Sequence, residues 1–118
     1  MATITASTLN SLLGQEIDAA TLEIIIDAAI DIINLYGIVD LPNMTGTAGS
    51  KSVSLESREA GAVKLVARAV YHAFYKGIDT MATGGVTVSA YDMLGNPTVM
   101  NTVETVARRL SEPDIDYG

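Results

Sequence analysis

Between Asp18 and Gly37 the chain sets Glu23, Asp27, Asp31 and Asn34 in a nearly unbroken apolar background. That background is Leu22, Ile24, Ile25, Ile26, Ala28, Ala29, Ile30, Ile32, Ile33, Leu35 and Tyr36. On a helix the four polar side chains share an arc of about 80°, and the rest of the circumference is apolar. A surface helix needs an apolar stripe only somewhat over 100° wide. This one must be covered on almost every side, either as the central helix of a core or by a neighbouring subunit. The spacing i, i+4 also makes Glu23, Asp27 and Asp31 a stripe of like charge, which costs an isolated helix a few tenths of a kcal/mol per pair. A second ladder, Lys64, Arg68, His72 and Lys76, repeats the spacing with the opposite sign. Two such ladders point to an assembly component. The sharper expectation is an oligomer interface made of Ile24, Ile26 and Ile30 with Glu23, Asp27 and Asp31, because apolar excess of this size marks contacts.

A chain of 118 residues has room for one domain and a modest core. Aromatic residues are 5% of the total against 48% apolar overall, so that core is built from Ala, Val, Ile and Leu. The net charge of −7 argues against a free-standing reader of DNA sequence, which carries a basic excess. Cysteine is absent, so neither disulfides nor thiolate chemistry enter. Met1 to Ala6 has no basic residue and no apolar run, so no signal peptide is expected there. The stretch from Leu22 to Tyr36 is too short for a bilayer and is interrupted by acids, so no membrane partner is expected.

The expected fold is mainly α: a bundle of three to four helices with a short β element. Residues 1–7 read as a short strand or an arm. Ser7 or Thr8 caps a short helix that stops at Gly14. Residues 37–53 form a long loop rich in Gly, Thr and Ser. A helix capped by Ser54 runs to Lys76 on a core stripe of Val63, Val66, Val70 and Phe74. The alternation from Val86 to Tyr91 predicts a strand. Its partner is 2–6, a piece of the loop, or another chain. Pro97 opens the last helix behind an Asn96 cap, on a stripe of Val99, Val103, Val106 and Leu110. Arg108 and Arg109 fall in its last turn, and an acidic tail, 112–118, follows.

Chemistry finds little footing. His72, the one histidine, sits in a basic ladder with no nucleophile at a suitable spacing, so it reads as a surface or interface residue. Gly46 to Ser52 faintly resembles a phosphate-binding loop, but the glycines are two residues too close and a helix precedes them where a strand belongs. Asp27 and Asp31 lack a third metal ligand nearby, and Asp114 and Asp116 do not match a calcium loop. No catalytic residue, cofactor or metal is expected, and the chain does not read as an enzyme. The basic ladder keeps three readings: a solvated face, a partner for a neighbour's acidic stripe, or a contact with nucleic acid backbone.

Taken in order, the elements resemble a family. An Ala- and Ile-rich helix ends in Leu35-Tyr36-Gly37 and a polar loop follows. Then come the run from Leu65 to Tyr75, a short alternating segment after glycines, and a closing helix with Arg108-Arg109-Leu110. Over roughly residues 8 to 112 this layout is similar to the head–tail connector (adaptor) proteins of tailed bacteriophages. The resemblance implies a virion protein made in the host cytoplasm. It would form a homo-oligomeric ring of twelve copies beneath the portal protein, extend the DNA channel with non-specific DNA contact, and dock the next tail component. It also implies a portal-facing C-terminal segment, here Arg108, Arg109, Asp114 and Tyr117. Two further expectations stand beside it: another head- or tail-completion protein, or a small helical regulatory or ligand-binding domain of a bacterial cell.

Overall fold

A computed structural model describes residues 2–14, 17–37, 39–75 and 93–111. The predicted strand at Val86 to Tyr91, Lys76, and the tail with Asp114 and Tyr117 lie outside the described residues. Strand β1 (Ala2–Thr5) leads directly into helix α1 (Ala6–Leu13). Helix α2 (Ala19–Tyr36), strand β2 (Ser52–Leu55) and helix α3 (Ser57–Val70) follow. A π-helical turn, Tyr71–Tyr75, extends α3, and helix α4 (Pro97–Ser111) closes the described chain. Among the described residues the protein is mainly helical, with one small antiparallel sheet of two strands.

The helix ends follow local chemistry. Asp18 accepts the Thr21 N–H at 3.3 Å and starts α2, and Gly37, at φ 87°, ends it. Asn96 Oδ1 takes the Thr98 and Val99 N–H groups at 2.9 and 3.3 Å, and Pro97 occupies the first turn of α4. Gly14 ends α1 at φ 69°. The cap of α1 is Thr5 rather than Ser7 or Thr8. Thr5 is the last extended residue of β1, and it exchanges a reciprocal capping box with Thr8.

Two expectations change at β2. Ser54 is not a helix cap but a strand residue, paired with Thr3, and α3 begins at Ser57 after Glu56. Residues 2–5 are not an arm: Ala2 pairs with Leu55, Ile4 with Val53, and Thr5 with Ser52. The alternation places Ile4, Val53 and Leu55 in the core and leaves Thr3 and Ser54 outside, where their hydroxyls meet at 3.3 Å.

Helix α2 is the axle of the molecule. It packs against α1, α3 and α4, and its Leu22, Ile25, Ile26, Ala29, Ile30, Ile32 and Ile33 are all buried. Val63, Val66 and Val70 of α3 and Val99, Val103 and Val106 of α4 close the core around it, while Phe74 is half-buried. The expected interface therefore needs correction. Ile26 is 1% and Ile30 0% exposed, so neither is available to a second copy. The domain covers more of this helix than its size suggested, because its own loop lies along the polar side. Ile24, Leu35 and Tyr36 remain outside.

Candidate functional site

The acidic ladder of α2 holds that loop. Chain segment 39–51 doubles back along the helix and meets its polar residues in reverse order. Asn34 accepts the Leu41 N–H at 2.8 Å and donates to the Leu41 carbonyl at 2.9 Å. The Asn43 side chain donates to Asp31 at 3.0 Å and reaches Asp27 at 3.4 Å. Asp27 also accepts the Met44 N–H at 2.9 Å. Glu23 accepts the Gly49 N–H at 2.7 Å through one oxygen and the Lys51 N–H at 2.9 Å through the other. Leu41 and Met44 turn into the core between these ties.

Backbone N–H groups at Glu23 and Asp27, and the Asn43 side chain at Asp31, thus stabilise a stripe that looked unfavourable. A carboxylate accepting N–H bonds makes charge-assisted contacts, roughly twice as strong as neutral ones. Glu23, only 3% exposed, is satisfied at both oxygens. The segment that faintly resembles a phosphate-binding loop does cradle an anion, and the anion is the protein's own Glu23. Gly49 makes this possible: at φ 92° it turns its N–H toward the carboxylate in a region that other residues avoid. Glu23 is therefore corrected from an interface residue to an internal clasp, and Asp27, half-buried, ties the loop as well. Asp31 keeps an exposed position.

The basic ladder is partly displayed. Lys64 is half-buried, and Arg68 and His72 are exposed. Over these three the ladder runs about 12 Å at 1.5 Å per residue. His72 packs edge-to-face on Tyr71, with ring centroids 5.2 Å apart. None of the three pairs with a carboxylate among the described residues, so these three do not meet the acidic ladder within one molecule. Arg108 and Arg109 are exposed in the last turn of α4.

A feature the expectations missed lies beside Lys64. Between α1, α3 and α4 opens a groove of about 460 Å³, walled by Leu12, Leu65, Val106 and Leu110. Its volume falls within the range of small-molecule pockets. Arg58, Lys64 and Arg109 stand around it. The Arg58 guanidinium donates to the Arg109 carbonyl and ties α3 to the end of α4. Leu12 and Leu65 are 43% and 46% exposed, unusual for leucines facing the same opening.

Gly61 also lines this groove. It sits inside α3, where glycine costs about 1 kcal/mol relative to alanine. It has no positive φ, and a Cβ built there would meet nothing within 4 Å. Nothing among the described residues requires a glycine there. The sequence signal was available in two places: a glycine in mid-helix, and Leu65, an apolar residue about 60° around the helix from Arg68 on the basic side.

Among the described residues no group of His, Cys, Asp or Glu is arranged to hold a metal ion, and no helix is long and apolar enough to cross a membrane. Comparison with protein-family models, curated proteins and solved structures finds no match for this chain.

Proposed function

We propose that the protein is a structural subunit of a tailed-phage virion, a head–tail connector that assembles into a ring between portal and tail. The observation that carries this reading is the contrast between a closed core and an apolar exterior. Every large apolar side chain of α2 that faces α1, α3 and α4 is buried, yet Leu12, Ile24, Leu35, Tyr36 and Leu65 stand 42–51% exposed. Exposed apolar groups gathered into patches mark surfaces that another molecule covers. The order of elements agrees with the resemblance in layout: an Ile-rich helix, a polar loop, a long helix with a basic face and a closing helix. Arg68 and His72 supply a short basic face to the channel, where phosphate contact is non-specific and salt-dependent. The portal, the next tail component and a copy number of twelve belong to the same proposal.

The test is made on phage particles. Immunogold labelling of the chain should mark the junction of head and tail. Deleting its gene should leave filled heads and separate tails. Normal infectious particles without the chain would overturn the reading. The groove favours a second reading, a small helical ligand-binding domain, since it is apolar, cation-rimmed and of ligand size.

A further inference from the structure

We propose that the groove between α1, α3 and α4 receives the outward face of α2 from a second copy of this chain. The inference rests on the assembly reading above and deepens it by naming the two faces that meet.

The α2 face is built for such a seat. Ile24, Ala28, Asp31 and Leu35 fall within about 60° of arc and extend for about 16 Å. Ile24 is 44% and Leu35 51% exposed, Ala28 is half-buried, and Asp31 is exposed between the two large side chains. Helix α2 carries no Lys or Arg. The groove carries the complement: an apolar floor, three cations and no carboxylate among its described lining residues. An apolar strip with an acid at its middle therefore meets an apolar trough edged by Arg58, Lys64 and Arg109, and opposite charges across the rim fix register and favour encounter.

Gly61 supplies an independent argument. It removes a side chain in the trough, where a Cβ would meet no atom of the described residues within 4 Å. Glycine in a helix commonly marks close approach by another element. Among the described residues none makes that approach, and the α2 face of a second copy fits it.

The two faces share no residue and lie on different helices, so the contact is head-to-tail. Each copy offers one face and one groove. Such contacts propagate into closed rings or open filaments rather than stopping at a two-fold dimer.

Two variants separate the faces. Gly61→Leu fills the groove with a side chain whose Cβ meets nothing among the described residues. Ile24→Asp combined with Leu35→Asp spoils the α2 face at two exposed positions. Sedimentation velocity on the wild-type chain, up to about 1 mM, should show species larger than a dimer. Each variant alone should self-associate at least roughly tenfold more weakly, with helical circular dichroism and cooperative melting retained. Mixed together, they should form a one-to-one complex that does not grow, because each retains the half the other has lost.

Assembly of Gly61→Leu at wild-type concentrations would overturn this pairing while leaving the ring reading in place. So would a mixture that stays monomeric while the wild type assembles. A wild-type chain that remains monomeric throughout would count against both. Titration with the apolar anion 1-anilinonaphthalene-8-sulfonate adds the ligand alternative: binding lost in Gly61→Leu, with assembly untouched, would assign the groove to a small molecule and overturn the pairing.

Discussion

The clasp at Glu23 makes the most exposed prediction. Glu23→Gln keeps the shape of the side chain and removes its charge. In the native protein two backbone N–H groups, of Gly49 and Lys51, each occupy one carboxylate oxygen. Hydrogen bonds to a charged partner contribute about 1.5–3 kcal/mol each. The amide keeps one acceptor, for a neutral bond worth about 1 kcal/mol, and turns an NH₂ toward the other N–H. Gly49 is exposed and Lys51 half-buried, so water can rejoin the freed donor and the loss falls at the lower end. The expected destabilisation is about 2–3 kcal/mol. With a urea m-value of about 1–3 kcal/mol/M, the unfolding midpoint should fall by roughly 1 M. The loop should also open locally, so tryptic cleavage after Lys51 should accelerate about tenfold or more, at roughly 1.4 kcal/mol per factor of ten. Asp31→Asn is the control: exposed and tied only to the Asn43 side chain, it should shift stability by less than about 0.5 kcal/mol. A Glu23→Gln protein with an unchanged midpoint and unchanged cleavage would refute the argument that this carboxylate holds the loop.

Other outcomes follow from the same structure. Ile30→Ala should cost about 2–5 kcal/mol in urea unfolding, whereas Ile24→Ala should stay within about 0.5 kcal/mol, because the first is 0% and the second 44% exposed. Gly61→Ala should raise stability by about 0.5–1 kcal/mol, read as a higher melting temperature; a loss would mean that the helix needs its glycine internally. Gly49→Ala should cost about 1–3 kcal/mol, since its φ of 92° strains any other residue, and should speed the same tryptic cut. Asn96→Ala should lower stability by about 1 kcal/mol through the lost cap of α4, visible as a lower urea midpoint.

Much of the helical framework was legible because its determinants are local. Asp18 and Gly37 mark the ends of α2, Asn96 and Pro97 start α4, and the valine stripes of α3 and α4 face the core as their spacing predicts. A cap acts over three residues and a stripe over two turns, so both can be read without knowing what packs where. The start of α3 was misplaced because Ser54 is a good cap by type. Its strand state depends on Thr3, 51 residues away.

The same separation decides the candidate site. Periodicity alone determined that Glu23, Asp27, Asp31 and Asn34 share one face of a helix and that the rest of its circumference must be covered. It could not say by what. A like-charge stripe has the same pattern whether a neighbouring subunit or the chain itself supplies the donors. Only the tertiary structure brought Gly49 and Lys51, 26 and 28 residues further on, within hydrogen-bond reach of Glu23. The groove at Gly61 is tertiary in the same sense: its walls come from α1, α3 and α4, and no single segment of sequence contains it. Local order is written in neighbouring residues, but coverage and vacancy are properties of surfaces, which exist only once distant segments have packed.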